Sequence, residues 1–287
     1  MEILIALYEL ENFFGGVQTW SLTMYHALKK LGHTVSLFTY RSRINKAYEN
    51  LPFIHNGAFD LILCSSNVAL REIGRFRGRK IFISHGILPR LEQPVKGADI
   101  YIAVSEESAK NCKTKGFPVS KIIRNPIDCD RLHSSACQGE LKTIAFFDRR
   151  RRFVFIDEIK KCGFEVLEIG RPPIPRPEEY IMKADLVVAR GRGAYEAMAM
   201  GKNVIVSGNN SGRSKIEIMD GFVDNETFFR FRQNNLSGRY NQIQVSSVDI
   251  FLKEIERYNQ KQGALNRNLI IANNNSKDIA KQFLELI

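Results

Sequence analysis

The sequence predicts an α/β protein of two doubly wound domains. Three observations carry this reading. Short apolar runs alternate with longer amphipathic segments along most of the chain, the order expected when helices cover parallel strands. The chain of 287 residues is long enough for two domains, at about 100–200 residues each. A change of composition near His133 to Gly139, where small residues gather, marks a linker between them.

The elements follow in order. Residues 3–7 read as a buried strand. Residues 17–31 read as a helix, with an apolar stripe through Trp20, Met24, Leu28 and Leu31 and a stop at Gly32. Residues 35–40, 59–64, 80–84 and 100–104 read as strands, 106–114 as a helix, and 122–123 as the end of the first series. The second series opens with a strand at 143–147, a helix at 155–161 and a strand at 165–169. A proline-rich loop over 170–177 leads to a short helix at 178–182. Residues 186–189 are a strand, followed by an Ala- and Met-rich helix that ends at Gly201, and by another apolar strand. Beyond Gly212 the pattern weakens, and residues 222–244 show no period. Helices are expected at 248–258 and 276–287, the last with Ser276 as N-cap and Asp278 in its first turn. Asn273-Asn274-Asn275 reads as a polar turn. The expected domains are 1–135 and 140–270, with the helix at 276–287 packing back on the first.

The net charge is +11, which points to anionic partners: nucleotide phosphates, an anionic membrane face or nucleic acid. The five cysteines include no Cys-x-x-Cys pair, so neither a disulfide framework nor structural zinc is expected, and a reducing cytoplasm fits. No apolar run approaches the roughly 18–20 residues needed to span a bilayer, and Glu2 does not suit a signal peptide. The expectation is a cytoplasmic protein, free or peripheral at the inner membrane face.

The stretch Ala184 to Gly201 is the richest in chemistry. A strand ends in Arg190-Gly191-Arg192-Gly193, and a helix follows. Backbone N–H groups at a helix N-terminus, helped by its dipole, suit a phosphate. Arg190 and Arg192 add positive charge, and Glu196 on the first turn suits sugar hydroxyls. Gly15-Gly16, ahead of the first long helix, would let a phosphate or acceptor approach the backbone. His85 follows the strand at 80–84, and strand C-terminal ends face the ligand crevice in open α/β sheets. It is a candidate general base or hydrogen-bond partner. No His, Cys, Asp or Glu cluster stands out as a ligand set, so no metal and no cofactor are expected.

These motifs resemble those of the GT-B-fold glycosyltransferases, the retaining family four above all. Glu196-Ala197-Met198-Ala199-Met200-Gly201 is similar to the family's donor motif, Phe14-Gly15-Gly16-Val17 to its N-terminal glycine pair, and Gly32-His33-Thr34-Val35 to the start of its second strand. Ala98-Asp99 with Val104-Ser105, and Asn125-Pro126-Ile127-Asp128, resemble the end of its first domain. The resemblance implies two Rossmann-like domains facing each other across a cleft. It implies a metal-independent hexosyl transfer from a UDP- or GDP-sugar, with retention, in polysaccharide or glycolipid synthesis. It also implies a cleft role for His85, and a diphosphate contact from Arg149 or Arg150. The family's motif pairs Glu196 with an earlier Glu, the first of a Glu-x7-Glu pair, where this chain has Val188. The expected acceptor is a carbohydrate or lipid-linked compound. Two other readings stand beside this one: a non-catalytic nucleotide-binding or partner protein, and a DNA-modifying glycosyltransferase. No nucleic-acid module is recognisable, and nucleic acid is not expected as a partner.

Overall fold

The computed structural model describes residues 1–11, 15–133, 139–148, 152–170, 176–209 and 217–287. The chain divides into two compact units, Met1–Asp128 with Asn274–Ile287, and Cys129–Asn273.

The first unit contains β1 (Glu2–Leu7), α1 (Gly16–Lys30), β2 (Thr34–Thr39), β3 (Ala58–Cys64), α2 (Asn67–Glu72), β4 (Arg77–Ser84), β5 (Ile100–Ala103), α3 (Glu106–Thr114) and β6 (Lys121–Ile122). Its six-stranded sheet runs β2-β1-β3-β4-β5-β6, parallel throughout. Successive side chains of a strand point to opposite faces. Ile3 and Ile5 therefore join Trp20, Met24 and Leu28 of α1 in one core, while Leu4 and Ala6 join Leu70, Phe76 and Phe82 in another. A strand covered on both faces must be apolar at every position, which is why residues 3–7 show no alternation. Gly32 takes φ +86° after α1, and the His33 N–H bonds back to the Leu28 carbonyl, so the helix stops there.

The second unit contains β7 (Thr143–Phe147), α4 (Ile156–Lys161), β8 (Glu165–Ile169), α5 (Glu178–Ile181), β9 (Leu186–Ala189), α6 (Arg192–Ala199), β10 (Asn203–Asn209), β11 (Glu217–Phe222), α7 (Asn225–Phe231), β12 (Ile243–Val245), α8 (Val248–Ile255) and α9 (Gln260–Asn274). Its sheet runs β12-β11-β10-β9-β7-β8. The four strands from β8 to β10 are parallel; β11 pairs antiparallel with β10, and β12 antiparallel with β11. A last helix, α10 (Ser276–Leu284), belongs to the first unit. Its Ile279, Ala280 and Phe283 are buried in the α1-side core, with the Phe283 ring edge-on to Trp20 at 5.8 Å.

Three sequence expectations are corrected. Residues 222–244, without a period, carry the end of β11, the helix α7 and the strand β12. The Asn273–Asn274 pair is helical, because α9 runs to Asn274. That helix turns amides inward: Asn266 is fully buried and donates to the Lys202 carbonyl at 2.9 Å, and Gln262 donates to Asn266. An amphipathic pattern cannot show where the buried stripe is polar. The N-cap of α10 is Asn275, not Ser276; its extended backbone lets its side chain accept from the Lys277 N–H at 3.0 Å.

Candidate functional site

In the second unit the strand order reverses between β7 and β9, and open α/β sheets bind ligands outside the carboxyl ends at such a point. The residues there are Phe147 at the end of β7 and Asp148 after it, and Arg190 to Gly193 after β9. A concavity at these strand ends is lined by Phe146, Phe147, Asp148, Val188, Ser207 and Glu217, among others. Val188 is 2% exposed within β9 and belongs to the core cluster.

The glycine–arginine turn is tightly held. Gly191 takes φ +53°, a conformation that strains any residue with a Cβ, and caps α6. Its N–H donates to the Leu236 carbonyl at 2.6 Å, so that donor is already used. Gly193 allows close approach: a Cβ there would lie 2.8 Å from the Phe147 ring. Arg190 pairs with Asp148 at 2.9 Å. Arg192 donates from Nε to Glu196 Oε1 at 2.9 Å, and only 11% of either side chain is exposed. Because α6 begins at Arg192, Glu196 lies in its second turn rather than its first, and meets an arginine instead of the terminal N–H groups. Gly201, with φ +77°, ends the helix segment as expected.

The segment behind this turn carried no signal in the sequence. Asn235, Leu236 and Gln242 are the non-glycine residues with positive φ among those described. Such strain persists only where the surroundings enforce it. Here Leu236 is fully buried and holds Gly191, Gly238 packs backbone-to-backbone on Gly208, and Asp220 accepts from the N–H groups of Tyr240 and Asn241 at 2.7 and 2.8 Å. Burial raises the Asp220 carboxyl above the ordinary range, against the pull of those N–H groups. The only outward hint was Gly238 between polar residues.

In the first unit the reversal falls between β1 and β3. Gly15 is the N-cap of α1, and Gly16 is its first residue with open space at the Cβ position. His85 follows β4 and is 9% exposed. Its Nε2 lies 3.0 Å from Ser65 Oγ, just beyond β3, and its ring meets Trp20 edge-on at 5.1 Å. Sequence reading missed Ser65; a serine right after a buried strand was the available sign. Arg149 and Arg150 lie outside the described residues. Arg152, close by, is bound to Asp157 at 2.8 Å and Glu168 at 3.2 Å.

Among the described residues no group of three or more His, Cys, Asp or Glu could hold a metal ion. The Asp-x-Asp spacing at Asp128 and Asp130 falls at the unit boundary, with Asp128 facing Lys30 at 4.0 Å. No helix of the described residues is long and apolar enough to cross a membrane.

This architecture is that of the GT-B class, two Rossmann-like α/β units in one chain. Among solved structures it is similar to an alpha-glucosyltransferase in complex with UDP, with TM-score 0.61 at 11% identity over 100% of this chain and 99% of that one. The alpha-glucosyltransferase bound to UDP and a 13-mer DNA containing an HMU base matches with TM-score 0.60 at 12% identity, over 99% and 98%. AviGT4, a glycosyltransferase involved in avilamycin A biosynthesis, matches with TM-score 0.53 at 12% identity, over 99% and 96%. No family model matches the chain, and no curated protein sequence does.

Proposed function

We propose that the protein is a glycosyltransferase that moves a sugar from a nucleoside diphosphate, UDP by preference, to an acceptor hydroxyl. The observation that carries this reading is the glycine–arginine turn with Glu196, at the strand reversal of the second sheet in a chain of this fold. UDP in the similar structures supports the choice of base.

The second unit takes the donor. The first turn of α6 at Arg192 and Gly193 faces the diphosphate, with Gly191 shaping the approach. Arg190 exchanges Asp148 for a phosphate oxygen, and Glu196 accepts from the ribose hydroxyls. Arg149 and Arg150 are further diphosphate candidates from the sequence. In the reaction the bond from the sugar C1 to the β-phosphate oxygen breaks and one from C1 to the acceptor oxygen forms. The arginines and the helix terminus stabilise the leaving diphosphate, so this scheme invokes no metal. The first unit takes the acceptor, with Gly15 capping α1, Gly16 leaving the backbone open and His85, steadied by Ser65, receiving the hydroxyl proton. Resemblance favours retention of configuration and a role in polysaccharide or glycolipid synthesis. DNA modification is the second reading, favoured by an exposed stack of Tyr8 and Tyr40 beside Arg41.

The test is a thermal-shift screen with UDP, GDP and ADP, followed by nucleotide release from the sugar donors. Stabilisation by one nucleotide, with release that drops at least tenfold in His85→Ala, supports the transferase. If no nucleotide stabilises the protein, the donor site is wrong; binding without turnover leaves a non-catalytic nucleotide-binding protein.

A further inference from the structure

The C-terminal edge of the first sheet carries an aromatic array that takes no part in the donor chemistry above. Tyr8 follows β1 and Tyr40 follows β2. The parallel ladder continues past both strands: Tyr40 N–H donates to Leu7 O at 3.1 Å and Arg41 N–H to Tyr8 O at 2.8 Å. Tyr8 and Tyr40 therefore sit in register on neighbouring chains, about 4.8 Å apart by strand spacing. Their rings stack, with centroids 5.7 Å apart and planes 20° from parallel. The Arg41 guanidinium lies 5.1 Å from the Tyr8 ring centroid. Tyr40 is 43% exposed, a large aromatic left in water at the sheet end where ligands bind.

The charges are sorted around this array. Glu11 is engaged by Arg43 at 3.5 Å. Arg41 and Lys46 are exposed and have no carboxylate partner among the described residues, while Glu9 is half-buried. A rigid aromatic face with the Arg41 cation against it fits a base on its flat side and a phosphate beside it. A membrane surface would call for apolar side chains aimed outward together, which the described residues of this edge do not show.

We infer that this edge binds a nucleic-acid strand, a base stacking on Tyr40 and the backbone meeting Arg41 and Lys46. The inference rests on the transferase reading for its meaning, since the strand would then carry the acceptor hydroxyl. It departs from the carbohydrate or lipid-linked acceptor expected from the sequence.

The test uses the full chain and fluorescein-labelled 20-mer oligonucleotides, single- and double-stranded, followed by anisotropy at several salt concentrations. Vesicles containing phosphatidylserine and an anionic polysaccharide serve as the other arms. Tyr40→Ala should weaken oligonucleotide binding about 5- to 100-fold, with Tyr40→Trp restoring it. Arg41→Ala should lower the slope of log affinity against log salt by about one. UDP stabilisation should be unchanged in all three variants, so that loss of UDP binding would indict the transferase reading and not this one. The inference is overturned if the wild type binds no oligonucleotide, if Tyr40→Ala binds as well as the wild type, or if only vesicles or polysaccharide respond to the substitutions.

Discussion

Replacing Glu196 by Ala should injure the protein twice, and the two injuries can be separated. The carboxylate sits 2.9 Å from Arg192 Nε with about nine-tenths of both side chains buried. Removing it takes a carboxylate partner from a buried guanidinium, which costs up to about 3 kcal/mol, the low end of the range for such pairs because both groups touch solvent. In a unit of this size that is roughly 6–12 °C of melting temperature. Replacing both residues, as Arg192→Met with Glu196→Ala, removes the buried charge together with its carboxylate and should recover about 1 kcal/mol. Ligand binding is read on top of this. UDP at about 100 times its dissociation constant adds about 2.7 kcal/mol to the wild type. If Glu196 holds the ribose, neither variant shows that gain, although the double variant has regained stability. A double variant that responds to UDP like the wild type would refute the ribose role and leave Glu196 as a purely structural partner of Arg192.

Other expectations follow from the packing and the buried groups. Phe283→Ala, at a fully buried site against Trp20, should cost the first unit about 3–5 kcal/mol. Calorimetry should show its transition fall while UDP still stabilises the second unit; a single unshifted transition would contradict the docking of α10. Burial raises the Asp220 carboxyl in the folded state, so its contribution is intact below the unfolded value of about 4 and is lost as pH rises through the raised one. Asp220→Asn should abolish that decline, and a wild-type-minus-variant difference in urea midpoint that is flat with pH would contradict it. The buried Cys64 thiol is pushed up to about 12, and burial also raises Cys112. Native alkylation at pH 8 should therefore label exposed Cys162 and spare Cys64 and Cys112. Mass spectrometry of the digested protein decides; equal labelling would mean the first unit opens readily.

What could be read from the sequence depended on how each element is stabilised. Strands buried on both faces announce themselves, and Thr143–Phe147 and Leu186–Ala189 stand where the apolar runs placed them. Helix α1 was equally plain, since its stripe and its glycine stop are local. Residues 222–244 and the helix α9 were opaque for a different reason: α9 buries amides, and the loop carrying Leu236 is shaped by tertiary contacts with Gly191 and Gly208. The site was half legible. The turn at Arg190 to Gly193 could be picked out by composition, but the partners Asp148 for Arg190 and Ser65 for His85 come from other strands. The Tyr8–Tyr40 stack depends on strand register, which no local pattern reports.

The return of α10 to the first unit has a consequence for how the chain is made. The second unit is an insertion: its residues 129–273 are contiguous, whereas the first is interrupted by them. During synthesis the second unit can fold as soon as it has left the ribosome. The first must wait with one flank of Trp20 uncovered until Phe283 emerges. The nascent chain thus carries a sheet with one flank uncovered for the time needed to translate a whole domain, about 7–30 s at ordinary elongation rates of about 5–20 residues per second. Folding order is reversed relative to sequence order, and a ribosome stalled before residue 276 would hold a folded second unit beside an open first one, a natural substrate for a chaperone.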